Sequence, residues 1–154
     1  MDRLCSRNTP LEIYHGVPSG WSKAELISQH KALGGFFEID SGEASEPGAP
    51  SWMPDRYKWL QYRKTLNEIG NGIKKGDKAC IELAIRYIEL DYFGSYSGFI
   101  KERLARLLKP QDLSKQQISR LKRHFDNLVK IKRCLQEFKE YKKLVNKIQL
   151  SENA

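Results

Sequence analysis

The sequence predicts an all-α fold, a stack of antiparallel helical hairpins carrying an irregular N-terminal arm. Three observations predict it. From Asp55 nearly to the end of the chain, apolar residues recur at three- and four-residue spacing, the period of a helix that buries one face. The periodic segments are punctuated by capping residues, glycines and a proline. The connections between them are so short that consecutive helices must be neighbours.

The first helix is announced by GWSKAELISQHKALGG, residues 20 to 35. Ser22 is its N-cap, Glu25 completes a capping box, Trp21 is placed to staple onto Leu26, and Gly34 and Gly35 end it. The following stretch, FFEIDSGEASEPGAPSWMP, is acidic, proline-bearing and built of small residues. It reads as a linker or ordered arm, with FFEI as a short strand that has no partner. Residues 1–50 are therefore expected to form an N-terminal arm with one short helix and an acidic linker, and residues 51–154 a helical-hairpin domain.

In DRYKWLQYRKTLNEIG, Trp59, Tyr62, Leu66 and Ile69 share one face, and Gly70 is expected to close the helix. GNGIKKGDK has glycines and lysines but matches neither phosphate-binding pattern, because no Gly-Lys-Ser/Thr follows and Lys75 stands where a third dinucleotide-loop glycine is needed. It reads as a helix end and a turn, with Asp77 as the next N-cap. KGDKACIELAIRYIELD could pass for a strand, but Lys78, Glu82, Arg86 and Glu89 form a narrow polar stripe at helical spacing. This helix, over 77–91, is expected to be the most buried, with Glu82 and Arg86 paired at i, i+4.

DYFGSYSGFIKERLARLL packs Tyr92, Phe93, Tyr96 and Phe99 around Gly94 and Gly98 before a helix over 99–109 that stops at Pro110. The aromatics either stack on a ligand beside Lys101 and Arg106 or close the seam between two hairpins. DLSKQQISRLKRHFDNLVKIKR opens at Ser114, capped through Gln117, and sets Ile118, Leu121, Phe125, Leu128 and Val129 on one side over 114–131. Lys115, Lys122, Arg123, Lys130 and Arg133 gather on the other. A last helix carries Leu135, Phe138, Tyr141, Val145 and Ile148.

Helices 55–69 and 77–91 are expected to form one hairpin, and 99–109 and 114–131 another. A shift of 37 residues lays Lys78, Ile81, Ala84 and Ile88 on Lys115, Ile118, Leu121 and Phe125. That interval is near the unit length of helical-hairpin solenoids such as HEAT or tetratricopeptide repeats, although their signature residues are absent.

Charge is unevenly placed. Residues 1–50 hold 4 Lys/Arg against 7 Asp/Glu, residues 51–98 hold 8 against 6, and residues 99–154 hold 15 against 6. The net +8 of the chain thus comes from its last third, a surface suited to acidic partners or phosphates. No apolar run approaches a membrane span and no secretory leader opens the chain, so a soluble, cytoplasmic protein without membrane attachment is expected. Cys5, Cys80 and Cys134 are odd in number and widely spaced, as in a reducing compartment.

His15, His30 and His124 share no metal-ligand spacing with one another or with the cysteines. No nucleophile elbow or catalytic triad context is present. No catalytic residue, metal or cofactor is therefore expected. The expected function is that of a small non-enzymatic binding or adaptor protein. It would recognise an acidic protein partner through Tyr92, Tyr96, Lys101, Arg106, Lys115, Lys122, Arg123, Lys130 and Arg133. The alternative is nucleic-acid binding through the same basic helices.

Overall fold

The computed structural model describes residues 16–39, 56–92, 97–130 and 138–152. These residues contain six helices and no strand: α1 (Lys23–Ala32), α2 (Arg56–Lys74), α3 (Lys78–Leu90), α4 (Ser97–Leu108), α5 (Lys115–Lys130) and α6 (Phe138–Glu152). The chain is all-α over this span, and FFEI forms no strand. Instead, Phe37 packs against Gly72 of α2 and donates its backbone N–H to Asp77. The acidic stretch 40–55 and the aromatic centre of the α3–α4 connection, residues 93–96, lie outside the described residues.

Local chemistry sets three of the helix starts. At α1, Ser22 Oγ accepts from the Glu25 N–H while Glu25 accepts from the Ser22 N–H, so two otherwise orphaned donors are satisfied reciprocally. At α3, Asp77 Oδ1 accepts from the Ala79 N–H at 2.9 Å. At α5, Ser114 and Gln117 repeat the capping box, each backbone N–H meeting the other's side chain.

α2 does not stop at Gly70. It continues to Lys74, and the chain leaves it through Gly76 at φ 79°. The two glycines inside the helix serve packing instead. A Cβ at Gly70 would lie 1.8 Å from the Arg103 guanidinium of α4, and one at Gly72 would lie 2.3 Å from Cys80 Sγ of α3. Only glycine lets these neighbours approach so closely, which offsets its poor helix propensity of about 1 kcal/mol.

The core runs through all six helices. Trp21 and Leu26 from the α1 region join Trp59, Tyr62, Leu66, Ile69 and Ile73 of α2 around the buried face of α3. α4 adds Ile100, Leu104 and Leu108; α5 adds Leu121, Phe125 and Leu128; α6 adds Tyr141, Leu144 and Ile148. α3 is the most enclosed element, with eight of its thirteen residues buried. At its centre the hydroxyls of Tyr62 and Tyr87 share a 2.6 Å hydrogen bond, with Trp21 edge-on to Tyr87. Burial, and then the neighbouring Tyr87, push the Tyr62 phenol well above its ordinary pKa.

Helix packing departs from the expected pairing in one place. α2 packs on α3 and α4; α3 packs on α4 and α5; α6 packs on α4 and α5; and α1 sits on α2 and α3. α4 and α5, expected as a second hairpin, are not packed against each other; α4 turns to α2, α3 and α6 instead. The six-residue connection 109–114 is long enough to separate them, and ion pairs to Glu140 from Arg106 of α4 and from Lys109 just after it tie this end of α4 to α6.

Candidate functional site

The polar stripe of α3 builds a charged seam rather than a solvated edge. Arg120, reaching across from α5, binds Glu82 at 2.9 Å and clamps both oxygens of Glu89. Glu82 also accepts from Gln117 of α5 and from Arg86 one turn along α3 at 2.8 Å, the i, i+4 pair the spacing predicts. Arg86 then reaches Gln29 of α1. Burial alone would raise the Glu82 pKa, but hydrogen bonds from Arg120, Gln117 and Arg86 outweigh it and hold the carboxyl below its usual range. The two carboxylates raise the Arg120 pKa, Glu89 most. The seam is charge-matched and occupied, so it locks α5 onto α3.

Beyond Arg120, the outer face of α5 opens into a groove of about 730 Å³ lined by Glu89, Ser119, Arg120, Lys122, Arg123, His124, Asp126, Asn127 and Lys130. Four cations stand there against two carboxylates. Arg123 and Lys130 are exposed and Lys122 is half-buried. The buried side of α5 is sealed by Phe125 stacked on Tyr141 of α6 at 4.7 Å, and His124, at the border of the groove, stands edge-on to the same ring. The buried face therefore fixes the direction in which the cations point.

The residues predicted for binding divide sharply. Lys122, Arg123 and Lys130 line the groove, and Lys115 is exposed at the start of the same helix. Arg106 is half-exposed on α4 and engaged with Glu102 and Glu140. Lys101 is not on the surface. Only 1% exposed, it pairs with Asp91, which caps α3 in the left-handed conformation at φ 52°. A buried ammonium needs such a partner, and the pair ties the start of α4 to the end of α3. Tyr92 is half-buried and donates to the Gly16 carbonyl at 2.7 Å, which fastens the N-terminal segment to the α3–α4 joint. Tyr96 and Arg133 lie outside the described residues.

Folding also brings together a cluster that spacing conceals. His30 in the last turn of α1 donates from Nε2 to Asp77 Oδ2 at 2.7 Å, and Cys80 Sγ lies 3.5 Å from the same oxygen. All three residues are buried. Burial would raise the Asp77 pKa, yet hydrogen bonds from His30, Phe37 N–H and Ala79 N–H together bring it below the ordinary value. Burial, and then the Asp77 charge, raise that of the Cys80 thiol. A separation of 47 residues between His30 and Asp77 leaves no local signal for this cluster.

Among the described residues, no helix is long and apolar enough to cross a membrane. The chain matches no family model, no curated protein and no solved structure.

Proposed function

We propose that this protein is a non-enzymatic helical binding module whose α5 face docks an acidic segment of a protein partner. The observation that carries the reading is the groove in which Lys122, Arg123 and Lys130 stand on the outer side of a helix whose other side is committed to the core. Long cationic side chains on a fixed helical backbone steer an acidic partner and set its register. Asp126 stands among these cations, and this favours a protein, whose own mixed charges can answer it, over a phosphate backbone of uniform sign.

The packing supports a repeat-like scaffold behind that face. Tyr62 meets Tyr87 and Gly72 meets Cys80, the pattern of an antiparallel α2–α3 hairpin. Lys78 meets Asp112 and Glu82 meets Gln117, whereas Arg106 and Lys109 meet Glu140 and Lys147 meets Gln111. These contacts join residues 31 to 36 apart, the interval that a stack of helical hairpins would bring together.

The test is a titration of the full-length protein with labelled poly-glutamate peptide and with single- and double-stranded oligonucleotides, at low and moderate salt. Salt-sensitive binding of the peptide that is lost on changing Lys122, Arg123 and Lys130 to Glu supports the proposal. Binding of oligonucleotides alone transfers the face to nucleic acid. Binding of neither at low salt removes both readings.

A further inference from the structure

The cluster of His30, Asp77 and Cys80 unites an imidazole nitrogen, a carboxylate oxygen and a sulfur, and we propose that it binds a single zinc-class divalent cation. The three donor atoms lie within 4.8 Å of one another. Donors around a tetrahedral zinc ion, with bonds of about 2.0–2.3 Å, stand roughly 3.3–3.6 Å apart. Conversion from the hydrogen-bonded to the ligated cluster therefore needs shifts of about 1 Å or less. A mixed nitrogen, oxygen and sulfur set suits zinc and excludes magnesium and calcium, which take oxygen alone.

Charge fits a dication. Without a cation, a buried thiol faces a buried carboxylate and stays protonated. A dication inverts that local field. One carboxylate and one thiolate against two positive charges leave the buried complex neutral, which avoids the cost of an uncompensated charge. On binding, the Cys80 proton leaves to solvent and the ring proton of His30 moves from Nε2 to Nδ1, so that Nε2, Oδ2 and Sγ each offer a lone pair. One proton is released per cation.

The surroundings already hold the donors in place. Phe37 N–H and Ala79 N–H, each at 2.9 Å, fix the two oxygens of Asp77 independently of His30 and Cys80, as outer partners of a ligand do. Gly35 and Gly72 border the cluster, where a Cβ would fall 2.1 Å from His30 Nε2 and 2.3 Å from Cys80 Sγ. Three protein donors leave one tetrahedral position for water. The ion would staple the end of α1 to the start of α3, at a site separate from the α5 groove.

Cobalt(II) titration of the reduced full-length protein tests this directly. One equivalent is expected to produce a thiolate-to-cobalt charge-transfer band that zinc displaces and magnesium does not. The band should vanish in Cys80→Ala and survive in the Cys5→Ser/Cys134→Ser double variant, and His30→Gln should weaken binding by at least about tenfold. Zinc should also raise the Tm of the unaltered protein. Absence of the band at one equivalent overturns the proposal, as does a band that persists in Cys80→Ala. Should Cys80→Ala fail to fold, loss of the band in the double variant, which leaves Cys80 in place, overturns it equally.

Discussion

α3 and α5 are both amphipathic helices of the same core, but they use their polar residues in opposite ways. α3 is enclosed on nearly every side, and its few charged groups are spent on neighbours: Glu82 and Glu89 hold Arg120, and Arg86 reaches α1. α5 buries only Leu121, Phe125 and Leu128 completely and leaves Arg123, Asp126, Asn127 and Lys130 exposed. A polar stripe on a central helix is thus a set of internal joints, whereas the same residue types on an outer helix make a surface. The contrast places structural sensitivity in α3 and leaves α5 as the face on which the proposed recognition rests.

The largest expected effect comes from truncation inside α3. Leu83 is fully buried, so Leu83→Ala loses its transfer free energy and leaves a cavity, at a cost of about 2–5 kcal/mol measured by urea unfolding. The contrast sharpens if Val129→Ala, at a 58% exposed position of α5, shifts the midpoint far less. Equal losses at the two sites would break it.

Arg120 is where the two helices meet, and its removal comes next in size. Arg120→Ala strips Glu82 and Glu89 of their shared cation inside a partly buried seam, an expected loss of about 1–3 kcal/mol. Arg120→Lys should recover only part of it, because one ammonium cannot serve two carboxylates in the forked geometry of a guanidinium. Full recovery by lysine would mean that charge alone, and not the clamp, joins α5 to α3.

Acid should loosen the same internal joints. Asp77 and Glu82 both have folded-state pKa values below their unfolded ones. Each therefore contributes stability that is fully present above the unfolded value, about pH 4, and is lost as the pH falls through the folded value. Thermal melts from pH 7 to pH 2 should show a level Tm down to about pH 5 and a decline below it. Asp77→Asn should start from a lower Tm and decline less steeply, since the group whose protonation drives part of the loss is gone.

What the sequence made legible follows the range of each interaction. The capping boxes at Ser22 and Ser114 and the cap at Asp77 act within two or three residues, so they could be read directly. The burial of α3 was legible for a similar reason, because its polar stripe is narrow in sequence. Gly70 misled because a glycine that ends a helix and one that admits a neighbour's guanidinium look alike until the neighbour is known. Lys101 misled in the same way: a lysine beside an aromatic loop reads as surface, and only the fold supplies Asp91 as its buried partner. The pairing of α4 with α6 rather than α5, and the meeting of His30 with Asp77 and Cys80, depend on contacts between residues some 30 to 50 apart.

The smallest expected effect on stability is also the most discriminating for function. Lys122, Arg123 and Lys130 line the open groove, and a surface substitution away from caps and buried pairs usually changes stability by no more than about 0.5 kcal/mol. Reversing all three to Glu adds like-charge repulsion from Asp126 and Glu89, but it also turns their repulsion with Arg120 into attraction, so the sum should stay near about 1 kcal/mol or below. Urea unfolding of the triple variant should then nearly overlay that of the unaltered protein, while its affinity for poly-glutamate collapses. A stability loss as large as that of Leu83→Ala would show that the outer face of α5 is a structural joint like the stripe of α3, and the division between the two helices would fall with it.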